Sequence, residues 1–370
     1  MLQVKYPSLL NANNFISVPQ YESRFYETER KTPVTPDNLV LLVQNLLGEE
    51  LKEAPSELFA RNSYKNRLEI YLAIASYCKL IILSPNLSNF SISLQDVFQI
   101  WELRINLLLM ATSLRVPGSS SQIPPIPNAQ FLRNETNLFL KELIKLDDKE
   151  TLPKELSWHF KLLINRIKYG PSLILVNQLY NELLQLRATT PRTTKDLANK
   201  SSIILYNVCA IMIARNELLT VFNLLNQTLE SDSDNPQQAI LAALVGCLYT
   251  FKEKGSVSDS APFFKEIVAA FEKTDSRTLS LLVTILNSVK PVYNEDHSTT
   301  MAMEKEHKFT LQEIISLVED GKISGRILCS LCGLFEVERL TKNGESELDK
   351  CLDLVHQQWT SHVQNIYAFE

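Results

Sequence analysis

Apolar positions recur along this chain at intervals of three and four residues, with almost no alternation at intervals of two. The first spacing lines up one face of a helix, and the second would line up one face of a strand, so the pattern predicts an all-α fold. The clearest stretch runs from Ser201 to Leu225. It reads as an apolar helix, a polar break at Arg215-Asn216-Glu217, and a second apolar helix. Similar pairs are expected around Ala242–Cys247 with Pro262–Phe264, and around Leu328–Gly333. Helix pairs stacked in chain order make an α-solenoid, an architecture that mostly binds proteins. Cys209 and Gly246 stand 37 residues apart, near the roughly 34 of the tetratricopeptide unit. The expected fold is therefore an α-solenoid of antiparallel helix pairs with degenerate tetratricopeptide-like repeats. The repeats are degenerate because Trp101, Trp158 and Trp359 share no common phase.

Start and stop signals divide the chain further. Residues 1–36 read as an irregular N-terminal arm broken by Pro7, Pro19, Pro33 and Pro36. Residues 37–116 hold the N-terminal helices, 117–128 a Pro/Ser-rich loop, and 129–370 the tetratricopeptide-like repeats. Asp37 is expected to cap a helix over Leu39–Leu47, with Gly48 as its stop. Ser63–Leu83 carries Tyr64, Leu68, Tyr71, Leu72, Ala75 and Cys78 at helical spacing. Ser93-Leu94-Gln95-Asp96 is a capping-box variant opening a helix to about Arg115. Pro153 suits the first turn of a helix ending at Tyr169, and Gly170-Pro171 then leaves too little chain for anything but antiparallel neighbours. Pro236 starts a further helix, and the closing pair is Ser324–Leu340 and Glu345–Val363. The loop Pro117–Pro127 also has the spacing of a proline-rich ligand for a small adaptor domain, with Arg115 its one nearby basic residue.

Composition narrows the classes of function. Gly occurs only 9 times, against roughly 26 at about 7% usage. That argues against phosphate-cradling loops and tight hairpins. The net charge is −5 and Lys and Arg form no basic stripe, so no nucleic-acid partner is expected. The densest apolar run, Leu103–Met110, is too short for a bilayer, and no signal or lipidation pattern is seen, so a cytoplasmic address without membrane insertion is expected.

Candidate chemistry is thin. Cys329-Ser330-Leu331-Cys332 is a C-x-x-C, but it lies in mid-helix, where no helix N-terminus would activate a thiol. Cys78, Cys209, Cys247 and Cys351 sit in apolar runs and read as core. His356 and His362 are six apart with Cys351 alone, which fails zinc spacing. His159, beside Trp158, is expected at a helix surface, and His297 and His307 in a polar insertion over Tyr293–Lys308. No nucleophile elbow appears. The residues therefore predict no catalytic site, no metal, no cofactor and no small-molecule substrate. A carboxylate clamp is not expected either, because Gln237–Tyr249 carries no Lys or Arg. The arm is different. Tyr6, Phe15, Tyr21, Phe25 and Tyr26 are more aromatics than a disordered tail carries. Phe25 and Tyr26 are the candidate partner-binding residues, anchoring the arm on the body or on another subunit.

Three segments in matching order resemble a known family. They are Arg61-Asn62-Ser63-Tyr64-Lys65, then Trp101-Glu102-Leu103-Arg104 followed by Ile105-Asn106-Leu107-Leu108, and last Ile327 to Glu338. They resemble the tetratricopeptide-repeat subunit, of the twelfth-subunit type, of the transport protein particle (TRAPP). That complex tethers membranes and exchanges nucleotide on Rab-type GTPases. The chain looks like a divergent fungal-type member, without the long N-terminal extension of animal members and without the usual Asn-Asn-Ala-type helix openings. The resemblance implies a non-catalytic scaffold joining the TRAPP core to peripheral subunits in ER–Golgi traffic or autophagy. Exchange itself would belong to the core. Two alternatives stay open: a tetratricopeptide-like adaptor of another cytosolic assembly, and an enzyme without a recognisable motif.

Overall fold

The computed structural model describes residues 15, 34–50, 61–84, 92–113, 132, 134–139, 156–189, 195–231, 235–254, 324–340, 346–360, 362–363 and 367. Helix accounts for 89% of them, and no strand occurs among them. The all-α reading holds. The expected partners Pro262–Phe264, the polar insertion, the Pro/Ser-rich loop, Phe25 and Tyr26 lie outside the described residues.

The chain divides into two compact units. Unit 1 comprises residues 1–191 and 337–366, and unit 2 residues 192–336 and 367–370.

In unit 1 the helices are α1 (Pro36–Glu50), α2 (Arg61–Leu83), α3 (Leu94–Ser113), α4 (Trp158–Tyr169), α5 (Leu173–Thr189) and α10 (Glu347–Trp359). Residues 134–139 are helical too. Helix α2 packs on α1 and α3, and α4 on α5. Helix α10 comes from the far end of the sequence and packs on both α1 and α3. A stack of nearest neighbours alone would not bring it there.

Most helix starts follow the sequence signals. Ser93 caps α3: its Oγ accepts the Asp96 amide at 3.1 Å, and its own amide donates to Asp96 Oδ2 at 2.7 Å. Ser346 and Asp349 form a second capping box on α10. Two starts differ from expectation. Helix α1 is capped by Thr35, whose Oγ1 accepts the Asn38 amide, with Pro36 at the first helical position in place of Asp37 as cap. Proline suits that position, since an amide there has no intrahelical acceptor. Gly48 does not stop α1, which continues to Glu50. Helix α4 starts at Trp158, five residues beyond the expected Pro153, because Ser157 Oγ accepts the Phe160 amide at 2.9 Å. At its other end, Gly170 turns the chain with φ 58°, a value that costs glycine little. Ser172 then caps α5.

In unit 2 the helices are α6 (Lys195–Ala214), α7 (Leu218–Ser231), α8 (Pro236–Lys254) and α9 (Gly325–Leu340), the last turn of α9 belonging to unit 1. Helix α7 packs on α6 and α8. It runs antiparallel to α8, since Gln238 Nε2 donates to the Leu225 carbonyl while Lys252 reaches back to Asn216. Helix α9 runs antiparallel to α6: Gly325 meets Ile213, Cys329 Sγ donates to the Ala210 carbonyl, and Phe335 packs on Tyr206. Helix α6 therefore has neighbours on two sides, and ten of its residues, Leu197, Ile203, Tyr206 and Ile213 among them, are buried. This explains why α6, alone among the described helices, is long and apolar enough to cross a membrane: a two-sided core helix has the same composition.

Candidate functional site

The sequence singled out Trp101, Arg104, the C-x-x-C and the histidines. The structure buries Trp101, Arg104, both C-x-x-C thiols, His356 and His362, while His297 and His307 lie outside the described residues. Arg104 makes a two-pronged ion pair with Glu135, Nε to Oε1 at 2.7 Å and Nη2 to Oε2 at 3.0 Å, and Nη1 donates to the Ala75 carbonyl. Both partners are almost fully enclosed. The Phe15 ring stacks on Trp101 at 4.7 Å and faces the Arg104 guanidinium at 5.4 Å. Phe139 completes the cluster against Trp101, Phe98 and Phe160. The Trp-x-x-Arg pattern thus builds a core node that holds one aromatic of the arm on the body. Phe15, not Phe25 or Tyr26, is the arm residue whose packing is described.

The six cysteines are all buried and unpaired as disulfides. Burial pushes the thiols of Cys78, Cys209 and Cys332 far up, and that of Cys351 to about 12, so thiolate is suppressed. Nucleophilic and metal chemistry both need the thiolate. Among the described residues no group of three or more His, Cys, Asp or Glu is arranged to hold a metal ion.

A polar network joins α3, α4 and α10. Ser157 Oγ donates to Glu102 Oε2 at 2.7 Å, and Gln99 Nε2 donates to Asp349 Oδ1 at 2.7 Å. Burial raises the Glu102 carboxyl to about 7, with Ser157 opposing and the charge of Asp349 adding to the rise. The serine hydroxyl is committed to capping α4 and to Glu102, and the pair lies inside the unit.

Histidines cluster at the same joint. His362 Nε2 and the Tyr71 hydroxyl share a hydrogen bond of 2.9 Å. The His356 ring meets His159 and Trp359 edge-on. His159 is half-buried rather than at the surface, because its ring fills the space between Trp158 and His356. Desolvation lowers His356 to about 4; desolvation and the charge of Arg67 lower His362 to about 3.

Outward-facing apolar groups concentrate on α5. Leu173, Ile174, Tyr180 and Leu184 are 46%, 58%, 41% and 63% exposed, far more than the apolar face of an ordinary surface helix. Leu173, Tyr180 and Leu184 fall at i, i+7 and i+11, which is one stripe of a helix. The opposite face, Leu175, Val176 and Leu179, is buried. Glu182 accepts the Trp158 indole N–H at 2.8 Å, which fixes the rotation of α5 on α4. Between the exposed leucines stand Asn177 and Asn181, not charges. The sequence reading missed this face. A visible signal was the run Leu173-Ile174-Leu175-Val176, apolar on more sides than one core can cover.

No protein-family model matches the chain, and neither a curated protein nor a solved structure matches it.

Proposed function

We propose that this chain is a non-catalytic helical scaffold subunit of a multiprotein assembly, and that the outer face of α5 receives an amphipathic helix of another subunit. The observation that carries this is the exposed stripe Leu173, Ile174, Tyr180 and Leu184. An apolar stripe at helical spacing, with Arg187 at its C-terminal end, fits a partner helix presenting its own apolar positions at i, i+3 or i+4. An acidic tail or a nucleic acid would find a single complementary charge there, Arg187.

The assembly we propose is a TRAPP-type tether, on the three sequence segments named above. In that reading the subunit is cytoplasmic and reaches Golgi or ER-derived membranes only through its partners. The α6–α7–α8 run, with consecutive antiparallel helices, is the portion that supports a tetratricopeptide-like stack.

Affinity purification of the tagged full chain with mass spectrometry tests the proposal, alongside Leu173→Asp/Leu184→Asp. Small, mutually homologous core subunits that disappear with the double variant, at unchanged melting temperature, are the expected result. A partner set unaffected by the double variant would remove α5 as the interface. A chaperone or proteasome set would remove the tether.

A further inference from the structure

Two carboxyl groups belong to the joint of α3, α4 and α10, and their surroundings are opposite. Asp349 is half-buried and stands in the first turn of α10, where a helix N-terminus favours negative charge. Its oxygens take three donors: Gln99 Nε2 on Oδ1, and the Ser346 amide and hydroxyl on Oδ2. Glu102 is 3% exposed, lies in the middle of α3, and takes one donor among the described residues, the Ser157 hydroxyl. Gln99 precedes Glu102 by three residues, so the two share a helix face. Its Nε2 serves Asp349, and its Oε1 is buried without a hydrogen-bond partner. A buried acceptor left without a donor is costly. A carboxylate at position 102 has no proton to give it, and a carboxylic acid has one.

We propose that Glu102 is a buried proton site: its carboxyl is neutral while α4 and α10 are seated on α3, its O–H serves Gln99 Oε1, and ionisation of Glu102 loosens the joint. The chain Ser157, Glu102, Gln99, Asp349 then runs from the cap of α4 to the cap of α10 with every donor matched to an acceptor. Of the two carboxyls, the better solvated and better bonded one keeps the charge, and the enclosed one keeps the proton.

What acts on Glu102 is burial first, then the opposing Ser157 hydroxyl of the α4 cap, then the Asp349 charge of α10, and no cation; together they hold it at about 7. The other charged and titratable groups of the packed elements engage elsewhere. On α3 Arg104 takes Glu135 and the Ala75 carbonyl of α2; Arg67 of α2 acts on His362; Arg166 of α4 faces the Trp359 ring; His159 and His356 meet each other. The sign follows. A raised carboxyl contributes its full stabilisation below the ordinary value of about 4.3 and loses it as pH rises through about 7. The lowered imidazoles of His356 and His362 run the other way, losing stabilisation as pH falls below about 6.5. Between pH 6 and 8 the two trends offset each other in the wild type. The test therefore compares wild type with Glu102→Gln at each pH, since the imidazoles are common to both.

Glutamine imitates the neutral acid: its amide N–H suits Gln99 Oε1 and its oxygen suits the Ser157 hydroxyl. Hydrogen exchange of the full chain, read by mass spectrometry and normalised to the intrinsic rate at each pH, measures opening of α10 and of the first turn of α4. Glu102→Gln should open less than wild type at pH 8. The wild-type-to-variant ratio of opening should widen on the order of a hundredfold from pH 5 to pH 8, with α6 of unit 2 unmoved. A second measurement needs no substitution. Difference infrared spectra of the wild-type chain between pH 6 and pH 8.5, with isotope-labelled glutamate, should show the carbonyl band of a protonated glutamic acid that disappears at the higher pH. Where the variant folds, that band should be absent from it. A glutamic acid band missing at pH 6 would overturn the site. So would a ratio of opening that is constant with pH, or the same widening in α6.

Discussion

Unit 1 ties several of its buried polar side chains to partners far along the sequence: Arg104 to Glu135, Tyr71 to His362, Gln99 to Asp349. In unit 2 many of the buried polar groups turn back on their own helix. Asn207 donates to the Ile203 carbonyl, Thr250 to that of Gly246, and Ser330 to that of Arg326. What joins the helices of unit 2 is close apolar and thiol packing, with glycine where two surfaces approach, and a few side-chain hydrogen bonds such as Gln238 to the Leu225 carbonyl. A directional pair fixes which helix meets which, because a wrong neighbour leaves a buried charge or donor unmet. Apolar packing fixes volume more than identity. Polar deletions should therefore hurt unit 1 most, and added volume should hurt unit 2.

The largest expected effect is at Arg104. Arg104→Ala leaves the Glu135 carboxylate buried without the Arg104 cation and removes the side-chain donor to the Ala75 carbonyl. The cost should be about 3–5 kcal/mol, read as lost hydrogen-exchange protection in α2 and α3. Replacing both members, Arg104→Met with Glu135→Leu, should cost much less, because no unmet charge remains. If the double change is as damaging as the single one, the pair is not the unit's organising contact, and the contrast with unit 2 weakens.

Next comes Gly333 on α9. A Cβ there would run into the ring of Tyr367, whose hydroxyl donates to Glu336. Gly333→Ala should destabilise unit 2 by about 1–3 kcal/mol through overpacking, although alanine is otherwise the better helix former. In a Tyr367→Leu background the cost should shrink, a coupling that a double-mutant cycle measures. A stabilising Gly333→Ala would show that Tyr367 is not held where it lies.

These two sites also show what was legible in the sequence. Helical spacing and caps are local signals, so α2, α3 and α9 begin and end within a few residues of expectation, and α8 begins at Pro236 as expected. At α4 two local signals competed, Pro153 and Ser157, and the winner also bonds Glu102 on α3, a tertiary contact that no local rule sees. The packing of α10 on α1 and α3 was illegible for the same reason. Periodicity says which face of a helix is apolar, not which helix will cover it. Trp101 and Arg104 stood out as a pattern, yet their burial around Phe15 and Glu135 depends on partners 86 and 31 residues away. The aromatic arm was legible as something that packs, and Phe15 does so.

A smaller effect is expected at the start of α10. Ser346→Ala removes the side chain that accepts the Asp349 amide at 3.0 Å, and should cost about 0.5–2 kcal/mol. Because Asp349 also accepts from Gln99, the loss should appear first as faster exchange in α10 and at the α3 contact. Exchange confined to the first turn of α10 would mean that the cap and the α3 contact are independent.

The smallest effect on stability, and the one that separates folding from function, belongs to α5. Leu184 is 63% exposed, so Leu184→Asp removes little buried surface and should move stability by no more than about 0.5 kcal/mol. In the same substitution an acidic charge enters the apolar stripe. A partner helix lying there would have to bury it, at a cost on the order of several kcal/mol, so binding should fall by a hundredfold or more. Leu175→Asp, one residue from Ile174 but on the buried face, should do the reverse and unfold α5 from α4. The pair of variants compares two faces of one helix, with thermal melts for folding and quantitative pull-down for binding. Loss of stability in Leu184→Asp would mean that the stripe is covered by the chain's own residues. Normal stability with undiminished binding would mean that the apolar face is incidental, and that the scaffold's contact surface lies on another helix.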